Sequence, residues 1–260
     1  MPLTDKVLWV VDMSDRHDEQ AIAQHAATIG ANTVCIRTSS PILADAIPRF
    51  HAAEMKVYAW RWPAVVPTRR PPHYFATDQA NFVATTLIPA GLDGYIVDPE
   101  SDDDHGVNDW ERRDVGDLAQ LAQSFCATIR HAAANSGRPF LFGTTSGSNY
   151  PRVKPKIPFQ EFFAASDRVY PQTYWRMRDK HDRPVDIHGG TPASAMPGGL
   201  ADFAVAHKPI IPMAGEIDTV TPEEIAQYGA LLAQHNITEG HFYEDNLRVP
   251  PAVLDAIRLL

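Results

Sequence analysis

Short apolar runs alternate with longer amphipathic segments along the whole chain. Eight runs rich in β-branched or aromatic residues predict strands at 7–12, 33–37, 56–62, 94–98, 139–144, 168–174, 208–213 and 240–244. The segments between them predict helices at 19–29, 42–55, 77–88, 159–165, 200–207, 222–235 and 251–259. A further helix begins at Asp114 or Asp117 and ends at Gly137, and Thr221 with Glu224 predicts a capping box at 222.

Eight strand and helix repeats in 260 residues predict a single α/β domain, 1–260, folded as a closed (β/α)8 TIM barrel. A doubly wound open sheet is the alternative. The predicted helix-to-strand connections are short, whereas strand-to-helix connections at 63–73, 101–113, 145–158 and 175–196 are long. In a β/α barrel these extended loops all lie at the carboxyl ends of the strands, where active sites are built.

The composition is that of an ordinary globular protein, with 44% apolar and 21% charged residues. Its 23 Lys+Arg against 32 Asp+Glu give a net charge of −9, which argues against nucleic-acid and membrane partners. No Sec export signal is evident, so the chain is expected to be cytoplasmic as made, with release by lysis or a non-Sec route left open. Cys35 and Cys126 are predicted to be small buried thiols.

The predicted strand ends carry carboxylates and aromatic side chains. Such a set suits glycoside cleavage, because aromatic faces stack on sugar rings and paired carboxylates supply acid and base or nucleophile. No phosphate-binding glycine loop, HExxH or GxSxG motif occurs, and the run 102–105 is expected to be a solvated acidic loop, so no cofactor or metal is predicted. The candidates are Asp12, Arg37, Trp60, Trp62, Asp98, Glu100, Gln172, Tyr174, Trp175, Glu216 and Glu244.

The fourth predicted strand contains the sharpest motif, Asp93-Gly94 leading to Asp98-Pro99-Glu100. Residues two apart in a strand point to the same side, so Asp98 can hold and electrostatically tune Glu100. We expect Glu100 to be a general acid whose pKa is raised by that neighbour and by partial burial. Asp98 is the expected assisting carboxylate.

This string resembles the strand-four motif of family 18 chitinase-type glycosidases, although that family has Asp at the position of Ile96 and an aromatic residue at that of Pro99. The Asp12-x-Ser14 turn is similar to the start of family 25 lysozyme barrels, and the strand from Tyr170 to Trp175 resembles their strand six. The resemblance implies a hexosaminidase or muramidase that acts on a polysaccharide or oligosaccharide with N-acetylated sugars. Peptidoglycan is preferred over chitin.

Other functions remain open at this stage. Glu100 and Glu216 also resemble the acid/base and nucleophile of a clan of retaining barrel glycosidases, although that clan has Asn where this chain has Pro99. The same barrel could instead be a non-catalytic module that binds or assembles glycans. A third possibility is a lyase or deacetylase whose carboxylates hold a metal ion.

Overall fold

The computed structural model describes residues 2–16, 18–68, 74–101, 106–112 and 114–260. Within these ranges eight parallel strands form a closed barrel, in which each strand pairs with its neighbours in chain order and the last pairs with the first. The predicted α/β TIM barrel is therefore confirmed, and the open sheet is excluded. The strands are β1 (Asp5–Val10), β2 (Thr33–Arg37), β3 (Lys56–Arg61), β4 (Gly94–Val97), β5 (Leu141–Gly147), β6 (Arg168–Gln172), β7 (Met213–Ala214) and β8 (Glu239–Asp245).

Side chains of each strand alternate between two apolar layers, as the period of two requires. In β1, Val7 and Trp9 point into the barrel, whereas Leu8 and Val10 pack under the helices. Both faces are buried, which explains why the strands appear in the sequence as continuous apolar runs. The interior layer also contains Cys35, Tyr58, Trp60, Ile96, Tyr170, Ile211 and Met213.

Helices surround the barrel. They are α1 (Glu19–Thr28), α2 (Leu43–Ala52), α3 (Ala76–Phe82, continued by a π-helical turn at Val83–Leu87 and by Ile88–Ala90), α4 (Leu118–Asn135), α5 (Phe159–Ala165), α6 (Pro192–Phe203), α7 (Pro222–Gln234) and α8 (Pro251–Leu259). Single turns form at Met13–Arg16, Tyr150–Val153 and Ala204–Ala206. None of the helices in the described ranges is long and apolar enough to cross a membrane.

The predicted helix boundaries are confirmed where capping residues set them. Asp117, rather than Asp114, is the N-cap of α4, and its carboxylate accepts a hydrogen bond from the Gln120 amide. Gly137 follows that helix with φ of +67°, a left-handed conformation that glycine adopts without strain. At α7 the Thr221 side chain and that of Glu224 form the reciprocal capping box.

Most other boundaries shift by up to three residues, and two elements differ more from the prediction. Helix α6 begins at Pro192 instead of residue 200, because Thr191 and Ser194 form a capping box before a stretch in which Pro197 and two glycines hide the helical pattern. Strand β7 is only two residues long, whereas the sequence predicts six. Prolines at 209 and 212 have no N–H to donate, so a regular ladder cannot form before Met213.

An antiparallel hairpin, formed by Arg176–Arg178 and Pro184–Asp186, is inserted after β6 at the carboxyl face of the barrel. The Arg176 guanidinium donates to both carboxylate oxygens of Glu224 at 2.8 and 2.9 Å. Arg178 forms an ion pair with Asp218 at 3.0 Å. The hairpin is thus fixed to the segment around α7 by paired charges and forms one wall of the cleft described below.

Both cysteines are free thiols buried in the fold, as predicted. Cys35 lies inside the barrel and Cys126 lies in α4. Burial raises the pKa of the Cys35 thiol well above its ordinary value and that of Cys126 to about 12. Both therefore remain protonated at neutral pH.

Candidate active site

A cavity of about 440 Å³ opens at the carboxyl ends of the strands, where the long loops converge. It is lined by acidic side chains on one part of its surface and by aromatic rings on another. Its lining includes Trp9, Trp60, Trp62, Asp98, Glu100, Ser148, Asn149, Gln172, Tyr174, Met177, His188, Glu216 and Tyr243.

Asp98 follows β4 directly and is 4% exposed. Its amide donates to the Arg61 carbonyl at 2.8 Å, which continues the pairing of β4 with β3 by one residue. Its carboxylate accepts a hydrogen bond from the Gln172 side-chain amide at 3.0 Å. Burial raises the pKa of Asp98 well above its usual value, and the charge of Glu100 raises it further, whereas the Gln172 bond opposes both.

Glu100 is half-buried and lines the same cavity two residues further along the chain. A backbone bridge to Asp109 fixes its position, and the Trp110 amide donates to the Glu100 carbonyl at 2.9 Å. The Trp110 indole in turn donates to the Pro63 carbonyl at 3.0 Å. The loop after β4 is therefore anchored to the loop after β3, and two carboxylates meet in one cavity.

Five aromatic rings form a continuous series of contacts, here called the aromatic ladder: Trp62, Trp60, Trp9, Tyr243 and Tyr174. The Trp60 ring centroid lies 5.2 Å from Trp62 and 5.4 Å from Trp9. Tyr243 lies 6.0 Å from Trp60 and stacks on Tyr174 at 5.6 Å with planes 16° apart. These separations are within the range of favourable aromatic pairs, so the ladder is a packed wall rather than a set of mobile rings.

The two tyrosines of the ladder are surrounded by acids. Burial raises the pKa of Tyr174 and of Tyr243 well above the usual value, and the charges of Asp98, Glu100 and Glu216 contribute to both. The phenols therefore stay protonated at neutral pH. Each can donate a hydrogen bond to an oxygen bound between them and the carboxylates.

Glu216 approaches the cavity from the loop after β7. Its backbone has φ of +41°, an uncommon conformation for a residue with a side chain, and its carboxylate accepts a hydrogen bond from the Arg178 amide of the hairpin. Burial raises the pKa of Glu216 above its usual value. The hairpin thus holds a third carboxylate at the cavity.

Four of the candidate residues from the sequence, Asp12, Arg37, Trp175 and Glu244, lie outside this cavity. Asp12 and Arg37 line a separate pocket of about 350 Å³ at the ends of β1 and β2. The Arg37 guanidinium lies 5.4 Å from the Trp62 ring centroid, which connects the two spaces. Glu244 is half-buried, and burial raises its pKa, but it does not line the cavity.

Trp175 requires a correction. The sequence predicts a substrate-binding role for this residue, but its ring is fully buried and packs on Tyr228 at 6.1 Å, in the layer beneath the helices. The reason is strand alternation, because Tyr174 faces the cavity and the next residue must face away. Tyr243 likewise lines the cavity, whereas its neighbour Glu244 does not.

A polar chain lies beneath the cavity and consists of the buried residues Trp9, His241 and Glu239 and the partly exposed Arg168. The Trp9 indole donates to His241 Nδ1 at 3.0 Å, and His241 Nε2 lies 2.7 Å from the Glu239 carboxylate, which also pairs with Arg168. Because Nδ1 accepts, the proton resides on Nε2 and is donated to Glu239. Burial alone would raise the pKa of Glu239, but His241 and Arg168 outweigh it and hold this pKa below its usual value.

Five residues that line the cavity are not predicted from the sequence as site residues: Trp9, Tyr243, Ser148, Asn149 and His188. Trp9 is identified there as core, and it is both buried and part of the cavity floor. The acidic run 102–105 lies outside the described residues. In the ranges that the structure covers, no three His, Cys, Asp or Glu side chains are grouped so that they could hold a metal ion.

No protein-family model and no curated protein matches the chain. Solved structures match along its length. The catalytic domain of a chitinase from Pyrococcus furiosus has a TM-score of 0.63 and 13% identity, and the match covers 100% of this chain and 95% of that one. A family 18 N-acetylglucosaminidase from Paenibacillus barengoltzii has a TM-score of 0.62 and 12% identity over 98% and 99% of the two chains. α-Galactosidase I from Mortierella vinacea has a TM-score of 0.56 and 11% identity over 98% and 70%. At these identities the likeness shows a shared barrel fold.

Proposed function

We propose that this protein is a glycoside hydrolase that cleaves an amino-sugar polymer. The observation that carries the proposal is the placement of Asp98 and Glu100 in one cavity beside the aromatic ladder. Glycoside cleavage needs a carboxylic acid to protonate the leaving oxygen and a second group to stabilise the cationic transition state. It also needs a surface that accepts the apolar face of a sugar ring, which the ladder offers.

Glu100 is the proposed general acid and Asp98 the assisting carboxylate. Asp98 is the more deeply buried of the two, and Gln172 fixes its orientation, so it suits a fixed role beside the reacting sugar. The charge of Glu100 contributes to the raised pKa of Asp98, so the two carboxyl groups interact electrostatically, and the proposed acid step uses the proton that this pair retains. Tyr174 and Tyr243 are proposed to donate hydrogen bonds to the substrate.

The proposed substrate is a polymer that contains N-acetylglucosamine. Two of the structural neighbours are named as a chitinase and as an N-acetylglucosaminidase, which supports this class of sugar. Chitin-like chains and peptidoglycan both belong to it. A third structural neighbour is named as an α-galactosidase, so the sugar that this protein cleaves has to be determined by experiment.

A second version of the reaction is favoured by the position of Glu216. This carboxylate lines the same cavity, so it could act as a nucleophile in place of a substrate acetamido group assisted by Asp98. Paired aryl glycosides with a 2-acetamido or a 2-hydroxy group separate the two versions. Hydrolysis of the acetamido sugar alone supports assistance, whereas equal hydrolysis of both, lost in Glu216→Gln, supports the nucleophile.

The proposal is tested by mass spectrometry of soluble products from peptidoglycan sacculi and chito-oligosaccharides. We expect new reducing ends from the native protein and at least about a hundredfold fewer from Glu100→Gln, the scale of a lost general acid. Glu223→Gln, an exposed glutamate at the start of α7, is the matched control and should stay active. Full activity of Glu100→Gln would refute the assignment.

Two other outcomes identify the alternatives. Retention on the glycan without products from any variant would indicate a binding module. Activity that EDTA removes would indicate a metal-dependent lyase or deacetylase instead of a carboxylate-only hydrolase.

A further inference from the structure

In the part of the chain that the structure describes, almost every arginine is paired with a carboxylate. Each arginine whose side chain the structure describes forms an ion pair with an Asp or Glu, except Arg37 and Arg61. The chain has nine more acidic than basic residues, so partners are abundant. The two exceptions end adjacent strands, β2 and β3, beside the same tryptophan.

Both guanidinium groups pack on Trp62. Arg37 and Arg61 each lie 5.4 Å from the Trp62 ring centroid, and Arg61 also lies 4.7 Å from that of Tyr74. Arg61 is 6% exposed and its buried Nε has no hydrogen-bond partner. Burial lowers the pKa of Arg61, and the charge of Arg37 lowers it further. Two like charges are therefore held close together, and neither forms an ion pair with a carboxylate of the described residues.

Arg37 is the member of this pair that a ligand can reach. It is half-buried, lines the pocket beside Asp12, and its Nε donates to the Ser39 hydroxyl at 2.7 Å. That bond and the Trp62 ring fix the guanidinium, and its two terminal nitrogens make no hydrogen bond within the described ranges. A fixed fork of two donors is the geometry that binds a carboxylate.

Asp12 makes the pocket selective rather than simply cationic. Its Oδ1 accepts from both the amide and the hydroxyl of Ser14, at 2.9 and 2.7 Å, and these bonds, with a smaller contribution from Arg37, lower its pKa. Asp12 is thus ionised and exposed, with its other oxygen available to accept from a hydroxyl or an amide N–H. A ligand that carries a carboxylate beside such a donor satisfies both residues.

From this arrangement we infer that the Asp12 and Arg37 pocket is a subsite for a sugar unit that carries a carboxylate, with Arg37 as the contact and Arg61 as a buried source of positive potential. The inference rests on the proposed function and specifies its substrate as an anionic amino-sugar polymer. A uronate and a lactyl ether both supply the required carboxylate. The pocket volume of about 350 Å³ is large enough for one such unit.

The test is isothermal titration calorimetry with the Glu100→Gln variant. This variant is used because it should not hydrolyse the ligands during the measurement. The main acidic ligand is a tetrasaccharide of alternating N-acetylglucosamine and N-acetylmuramic acid. Its neutral counterpart is the methyl ester of the same tetrasaccharide, which lacks the charge. A tetrasaccharide of N-acetylglucosamine and glucuronate distinguishes the second source of carboxylate, and chitotetraose is the neutral reference.

We expect at least one acid to bind about tenfold or more tightly than its neutral counterpart at low salt, with a smaller difference at high salt. Arg37→Gln should remove this preference, and Arg37→Lys should keep part of it. Arg258→Gln, a paired arginine on α8, is the control and should keep all of it. Arg61→Lys should retain the preference if Arg61 acts through its charge.

Equal binding of the acids and their neutral counterparts, or a preference that survives Arg37→Gln, would overturn the inference. If chitotetraose still binds and is cleaved by the native protein, the proposed function stands without the anionic subsite. If no glycan of the set is bound or cleaved, the proposed function itself fails.

Discussion

His241 joins the cavity floor to the charged pair Glu239 and Arg168 at the opposite end of the barrel, so its replacement by leucine is a direct test of the polar chain. In His241→Leu the Trp9 indole loses its acceptor and Glu239, which is 5% exposed, loses one of its hydrogen-bond partners. A buried donor left unsatisfied costs about 1–3 kcal/mol, and a hydrogen bond to a charged group contributes about 1.5–3 kcal/mol. We expect the free energy of unfolding to fall by about 3 kcal/mol or more.

For a chain of this length, that loss corresponds to a melting temperature lower by about 6–12 °C. The measurement is urea and thermal unfolding at neutral pH. His241→Asn is the matched variant, because its side-chain oxygen can replace Nδ1 as the acceptor for Trp9 while the contact with Glu239 is lost. It should be destabilised by less than His241→Leu.

The pH dependence provides a second check. Because the pKa of Glu239 is held below its usual value in the folded protein, its stabilising contribution is present at neutral pH and is lost as pH falls below 4.5 and through the lower, folded-state pKa. This acid-sensitive part should shrink in His241→Leu. A variant that melts within about 2 °C of the native protein, with an unchanged pH profile, would refute the reasoning.

Three further predictions concern the cavity and its wall. Asp98→Asn should lower activity about a hundredfold, yet it should raise the melting temperature at pH 7. The raised pKa of Asp98 means that ionisation destabilises the fold as pH rises from 3.8 through the folded-state pKa. Trp62→Ala should raise KM about two- to tenfold, whereas Trp175→Phe should leave KM unchanged and lower stability only. Arg176→Gln breaks the contact with Glu224, so limited proteolysis should cut the hairpin about tenfold faster while the barrel stays intact. Equal proteolysis rates, equal KM values or a less stable Asp98→Asn would each contradict the corresponding argument.

The fold follows from the sequence wherever apolar content and capping chemistry agree. Both faces of a barrel strand are buried, so each strand is a conspicuous apolar run. The start of α4 at Asp117 and the box at Thr221 are local signals that do not depend on tertiary contacts. Helix α6 is the exception, because Pro197 and its neighbouring glycines weaken the local signal and packing decides the outcome.

Site residues that are close together in the sequence could be predicted. Those whose position depends on which side chains of a strand face the cavity could not. Asp98 and Glu100 are two residues apart, so their common direction follows from the strand period. At the ends of β6 and β8 a shift of one residue exchanges cavity and core, and composition alone does not reveal that Tyr174 rather than Trp175, and Tyr243 rather than Glu244, lines the cavity. The bond from the Arg178 amide to Glu216 joins segments 38 residues apart, which no local pattern encodes.

The aromatic ladder also gives the protein an intrinsic spectroscopic signal for the cavity. Three of the protein's five tryptophans lie in the ladder. The ring centroid of Trp60 is 5.2 Å from that of Trp62 and 5.4 Å from that of Trp9. Strong indole transition dipoles at this spacing couple, so the circular dichroism should contain a paired band of opposite signs that depends on the angle between the rings. A molecule that enters the cavity would displace water from Trp62 and change both this band and the emission wavelength, so occupancy could be followed without a label.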